Sequence, residues 1–98
     1  MKIAVTGHQI DIGDALKSHV TDRLEHGISK YFDGALEAHV RFSREGTFYR
    51  AHVSAHVGKD IFAEGQADDA DIYASFNAAA EHVEKQLRRS KRKLRGHH

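Results

Sequence analysis

The hydrophobic positions of this chain change period along its length, and each change marks an element. Ile3 and Val5 alternate with Lys2, Ala4 and Thr6, which predicts a short strand stopping at Gly7. From Asp14 the spacing lengthens. Leu16, Val20, Leu24 and Ile28 recur every fourth residue with Ala15, Tyr31 and Phe32 beside them, so a helix is expected from about Gly13 to Phe32, closed by Asp33-Gly34. Gly27 inside that helix costs about 1 kcal/mol relative to Ala, which implies either a weak last turn or something packed close against it.

Alternation returns at Leu36, Ala38, Val40 and Phe42, set against Glu37, His39, Arg41 and Ser43. It repeats at Tyr49, Ala51, Val53, Ala55 and Val57, set against Arg50, His52, Ser54 and His56. Glu45-Gly46 between the two runs predicts a hairpin turn. Keeping both apolar sets on one face requires even residues of the first strand to oppose odd residues of the second. Pairing 44 with 47 does so, with Phe42 opposite Tyr49, Val40 opposite Ala51 and Ala38 opposite Val53. His39 then faces His52, and Arg41 faces Arg50, on the polar side. Gly58-Lys59 suits a tight turn into a further strand near Asp60 to Gln66, where alternation does not choose between Ile61 and Phe62 as the inward residue.

Asp68, Asp69 and Asp71 precede a second helical pattern, where acids cap free backbone N–H groups and complement the helix dipole. Ile72, Phe76, Ala80, Val83, Leu87 and Leu94 form its apolar stripe, and Ala78, Ala79 and Ala80 permit close approach to a sheet. The elements run β-α-β-β-β-α. That order predicts an α+β fold, a four-stranded, mainly antiparallel sheet with both helices packed on one face.

Composition narrows the function. Ninety-eight residues support one domain, taken as 1–95 with 96–98 as a tail. With no Cys, disulfide scaffolds, thiolate nucleophiles and Cys-based zinc sites drop out together, and the cytosol is the default compartment. No apolar run approaches the roughly 20 residues of a membrane span, and Met1 to Ile10 lack the apolar core of a signal peptide.

The formal net charge of +1 hides two unlike segments. Residues 1–84 carry 8 Lys+Arg against all 14 Asp+Glu, whereas residues 85–98 carry Lys85, Arg88, Arg89, Lys91, Arg92, Lys93 and Arg95 with no acid among them. At 100° per residue, Lys85, Arg88, Arg89 and Arg92 lie roughly 100–200° from Leu87, with Lys91 and Arg95 on the flank. Two or three cations would complement the helix dipole in the last turn. Seven over about three turns repel one another unless a polyanion neutralises them, which points to nucleic acid. A membrane surface fits poorly, because residues 88–98 offer only Leu94 as an anchor. On the first helix, Lys17, Arg23 and Lys30 extend the basic surface if the helices lie side by side. Tyr73 either caps the core with its ring or presents its hydroxyl to RNA.

The nine His do not make a metal site. His52 and His56, four apart on a strand, stand about 13 Å from each other, and the His39–His52 pair has no third ligand in sequence. Catalysis finds no support either. Val57-Gly58-Lys59-Asp60 lacks the spacing of a phosphate-binding loop, and no nucleophile sits beside a base. No cofactor is expected.

Four stretches in order, "VTGHQIDIGDAL", "KYFDG", "FAEGQ" and "DIYASFNAAAEHVEKQLRRSKRKL", resemble the ribosome hibernation-promoting factors, also called ribosome-associated translation inhibitors. The likeness covers nearly the whole chain. It implies a domain similar in layout to double-stranded-RNA-binding domains that binds the small ribosomal subunit and its ribosomal RNA. There it fills the channel of messenger RNA and of A- and P-site transfer RNA, silencing idle ribosomes in bacteria. The family's RNA-facing basic positions carry over onto Lys85, Arg88, Arg89, Lys91, Arg92 and Lys93, and onto Arg23 and Lys30; Arg95 joins them by charge alone. Gly13, Gly27 and Asn77 depart from the family pattern. Long-form members add a linker and a dimerisation domain, so the chain reads as a short form or as the N-terminal domain of a long one, with self-association open. The alternative from the residues themselves is a double-stranded-RNA-binding or protein-interaction module that uses the polar face of the sheet.

Overall fold

The computed structural model describes residues 1–58 and 60–96, with side chains of the last helix described as far as Lys93. Its elements are β1 (Lys2–His8), α1 (Asp14–Ser29), β2 (Glu37–Glu45), β3 (Phe48–Gly58), β4 (Ile61–Asp69) and α2 (Ile72–Gly96). The strands form one sheet in the order β1-β2-β3-β4. β1 runs parallel to β2, as the intervening α1 crossover requires, and the other two pairings are antiparallel.

The predicted stripes form the core. Leu16, Val20, Leu24 and Ile28 of α1 are all buried, as are Phe76, Ala79, Ala80, Val83 and Leu87 of α2. They meet Ala38, Val40 and Phe42 of β2, Ala51, Val53, Ala55 and Val57 of β3 and Ala63 of β4. Both helices thus cover one face, with α2 over β3 and β4. Leu94, expected to continue the α2 stripe, and Lys59 of the expected turn lie outside the described side chains.

Three expectations need correcting. The hairpin turn is Gly46-Thr47, with Gly46 at φ +64 and Glu45 opposite Phe48. Even–odd parity holds, but the register moves by two, so Phe42 pairs with Ala51, Val40 with Val53, and Arg41 with His52 rather than Arg50. The predicted register would have set two guanidinium groups opposite each other, a destabilising pair. Second, α1 ends at Ser29, because the backbone N–H groups of Tyr31 and Phe32 both donate to the Ile28 carbonyl, at 3.0 and 2.9 Å, tightening the last turn. Third, β4 continues to Asp69, and its Asp68 accepts from Arg50 on β3 at 2.8 and 3.1 Å instead of capping α2. Asp71 does cap, accepting from the Tyr73 backbone N–H at 2.9 Å.

β4 also resolves its ambiguous pair. Ile61 packs on the core, while Phe62 is 67% exposed on the uncovered face, stacked on His56 with ring centroids 4.3 Å apart. Along the outer edge of β4, the Gln86 side-chain amide accepts from the Glu64 backbone N–H at 2.9 Å and donates to the Glu64 carbonyl. A helix side chain thereby takes the hydrogen bonds that a neighbouring strand would use at that residue.

Candidate nucleic-acid interface

The second half of α2 turns Val83 and Leu87 into the core and its cations outward. Lys85, Arg88, Arg89, Arg92 and Lys93 are exposed, and Lys91 is half-buried. Lys85 makes an i,i+4 ion pair with Glu81 at 3.4 Å. Among the described residues the other five have no carboxylate within ion-pair distance. Arg95 lies outside the described side chains.

Five of these cations, all but Lys93, divide between two hollows. Toward α1, Arg88, Lys91 and Arg92 share a groove with Lys30 and Tyr31. Lys30 Nζ stands 5.7 Å from the Tyr31 ring centroid, so an aromatic face sits among four positive groups. Toward β4, Lys85 and Arg89 line a second hollow with His82, Gln86, Gln66 and the acidic Glu64. The first can accept a phosphate and a stacked base; the second carries a carboxylate, Glu64, beside its cations. Sequence reasoning assigned Tyr31 only to the apolar stripe. Its signal was there in the neighbouring Lys30, but the meeting with α2 is a tertiary fact.

The helices keep this geometry through a polar seam. His19 Nε2 donates to Asn77 Oδ1 at 2.8 Å, and the His19 ring meets Tyr73 edge-on at 5.2 Å. Tyr73 therefore belongs to the seam, with its ring 37% exposed, about 18 Å along α2 from Lys85. Arg23 donates to both carboxylate oxygens of Glu84, at 2.9 and 3.1 Å, and this hydrogen-bonded pair pushes the guanidinium pKa further up. Of the sequence candidates on α1, Lys30 reaches the basic groove, whereas Arg23 has its charge matched within the molecule. Lys17 is turned about 120–140° around α1 from the Arg23–Lys30 line and faces elsewhere.

Gly27 is explained here. A Cβ at that position would overlap Glu84 Oε2 and stand 2.9 Å from Glu84 Cδ, so the glycine leaves room for the carboxylate that holds Arg23. The expected consequence is a dependence on Glu84. In the wild-type chain Gly27→Ala leaves the thermal midpoint nearly unchanged, because displacing Glu84 loses about 1 kcal/mol from this partly exposed pair and offsets the gain in helix propensity. In a Glu84→Ala background the same substitution raises it, because only the helix propensity of Ala remains, worth about 1 kcal/mol. Thermal unfolding of the two singles and the double checks this, and additive effects would exclude the coupling.

Among the described residues there is no group of three or more His, Asp or Glu that could hold a metal ion, and no helix long and apolar enough to cross a membrane. A family model described as Sigma 54 modulation protein / S30EA ribosomal protein matches residues 3–95. The chain belongs to this family. It is 36% identical over 100 residues to the ribosome hibernation promotion factor of Rhizobium meliloti (strain 1021), covering 100% of this chain and 52% of that protein. With the ribosome hibernation promoting factor of Salmonella typhimurium it shares 30% identity over 98 residues, covering 99% of this chain and 100% of that one. In structure it resembles the Protein Y N-terminal domain of Thermus thermophilus, with a TM-score of 0.83 and 30% identity over 92% of this chain and 99% of that one. The chain thus spans about half the length of the Rhizobium relative and the full length of the Salmonella one. The β-α-β-β-β-α order and the four-stranded mixed sheet are those of the S30EA family domain.

Proposed function

We propose that this chain binds the small ribosomal subunit through the basic half of α2 and the Lys30–Tyr31 corner of α1, fills the messenger RNA and transfer RNA channel, and so holds the ribosome idle. Five outward cations on α2 without a carboxylate partner among the described residues carry the reading. They suit contacts to RNA backbone and shape rather than base readout. The family relatives named for ribosome hibernation support the choice of RNA. Action is by occupancy: no bond is made or broken, no cofactor takes part, and the place of action is the cytoplasm, where ribosomes are.

Co-sedimentation of the chain with small subunits, repeated across a salt series, tests this. Binding is expected to fall with a log–log slope of about −0.7 to −0.9 per phosphate contact, near −4 for five contacts. In vitro translation is expected to slow at the concentrations that saturate binding. If protein-free RNA duplexes displace the chain from subunits at comparable concentration, it is a general double-stranded-RNA binder instead.

A further inference from the structure

The uncovered face of the sheet has cations of its own, and most are already matched. Arg50 is held by Asp68 and lies 3.6 Å from Glu45, and His52 Nε2 donates to Glu64 Oε1 at 2.9 Å. Arg41, at the middle of β2, differs. Among the described residues neither it nor His39 has a carboxylate within ion-pair distance. Across from Arg41 stand Thr6 on β1 and His52 on β3, and across from His39 stands Ser54. These five side chains line one hollow over the backbone of Val40, and no acid lines it. The hollows beside it on the same face each include a carboxylate, Glu37 and Glu64 in one, Glu45 in the other.

His52 is taken by Glu64, and the Thr6 hydroxyl donates to the Val40 carbonyl at 3.5 Å; the Arg41 guanidinium fork flanked by the His39 imidazole and the Ser54 hydroxyl remains as a donor set for a phosphate. One of the neighbouring hollows shares His39 and Ser54 with it and contains the His56–Phe62 stack, whose outer ring is 67% exposed. An exposed aromatic face is what an unpaired base stacks on. Phe62 lies two strands over and four residues along from Arg41, about 16 Å at the backbone. One nucleotide does not span that distance, whereas a short single strand does.

We propose that the uncovered sheet face is a second RNA site, separate from α2, in which the Thr6–His39–Arg41–Ser54 hollow takes a backbone phosphate and the Phe62–His56 stack takes a base of the same single strand. Amide and side-chain NMR of the full chain, titrated with a six-nucleotide oligoadenylate and separately with inorganic phosphate, tests it. Expected are shifts at Thr6, Arg41, Ser54 and the Phe62 ring with the oligonucleotide. Affinity at these positions should be about fivefold weaker in Arg41→Gln and unchanged in Lys17→Gln, which removes the same charge elsewhere. Equal shifts with inorganic phosphate that spare Phe62 would overturn the strand and leave a free-anion site. Shifts confined to residues 85–93 would overturn the proposal while leaving the α2 interface standing.

Discussion

Replacing Arg88, Arg89 and Arg92 together with Glu is expected to remove small-subunit binding while the far-ultraviolet circular dichroism stays that of the wild type. All three side chains are exposed, on the side of α2 away from Leu87, so the core is untouched. Each reversal changes the local charge by two, and the segment 85–98 falls from seven cations and no acid to four cations and three acids. The loss of three phosphate contacts, with repulsion in their place, weakens affinity by about 100-fold or more at physiological salt. Two of the three also line the groove beside Tyr31, so carboxylates would enter the hollow where the Tyr31 ring meets the cations of α2. Co-sedimentation at fixed salt and in vitro translation with both chains read the effect. Undiminished binding would remove α2 from the interface and shift attention to the sheet.

Gly65→Val is expected to unfold the chain far more readily than any surface change. A Cβ on Gly65 would run into the Ala79 carbonyl oxygen, would stand 2.9 Å from His82 Cβ and 3.3 Å from the Ala79 carbonyl carbon. Backbone cannot swing aside as a long side chain does, so α2 would have to lift from β4. That separates Ala79, Ala80 and Val83, all fully buried, from the strands beneath them. Overpacking of this kind costs about 3 kcal/mol, or a fall in Tm of about 12–24 °C for a chain of this size. Gly65→Ala should show most of the same loss, since Cβ alone makes the collision. A melting curve unchanged in both variants would contradict the close packing of α2 on β4. Because the cations ride on that helix, ribosome binding should fall in step with stability.

How much of this was legible beforehand depended on the range of the interaction. The α1 stripe, the alternation in β2 and β3 and the basic run of α2 are local patterns, and the helices and sheet faces follow from them. The hairpin offset was not, because turns at 45–46 and 46–47 place the same residues inward and differ only in who faces whom. The Arg41–Arg50 clash was the available arbiter. Arg23 looked like a free cation because its partner Glu84 stands 61 residues later in the chain. Gly27 was visible as an anomaly, but the carboxylate that explains it comes from the other helix. Gly65 had no sequence signal as a packing residue, and Tyr31 gained its cationic neighbours only when α1 came to rest beside α2.

The way α2 joins Asp71 at its start to Arg88 and Lys91 near its far end also bears on how the molecule approaches a polyanion. Those ends stand about 25 Å apart along the helix axis, roughly three screening lengths at physiological ionic strength. An RNA surface close to one end is therefore nearly blind to the charge at the other. A protein of almost zero net charge can then be drawn in end-first, with its acidic end held off, so that orientation is set during diffusion, before any contact forms.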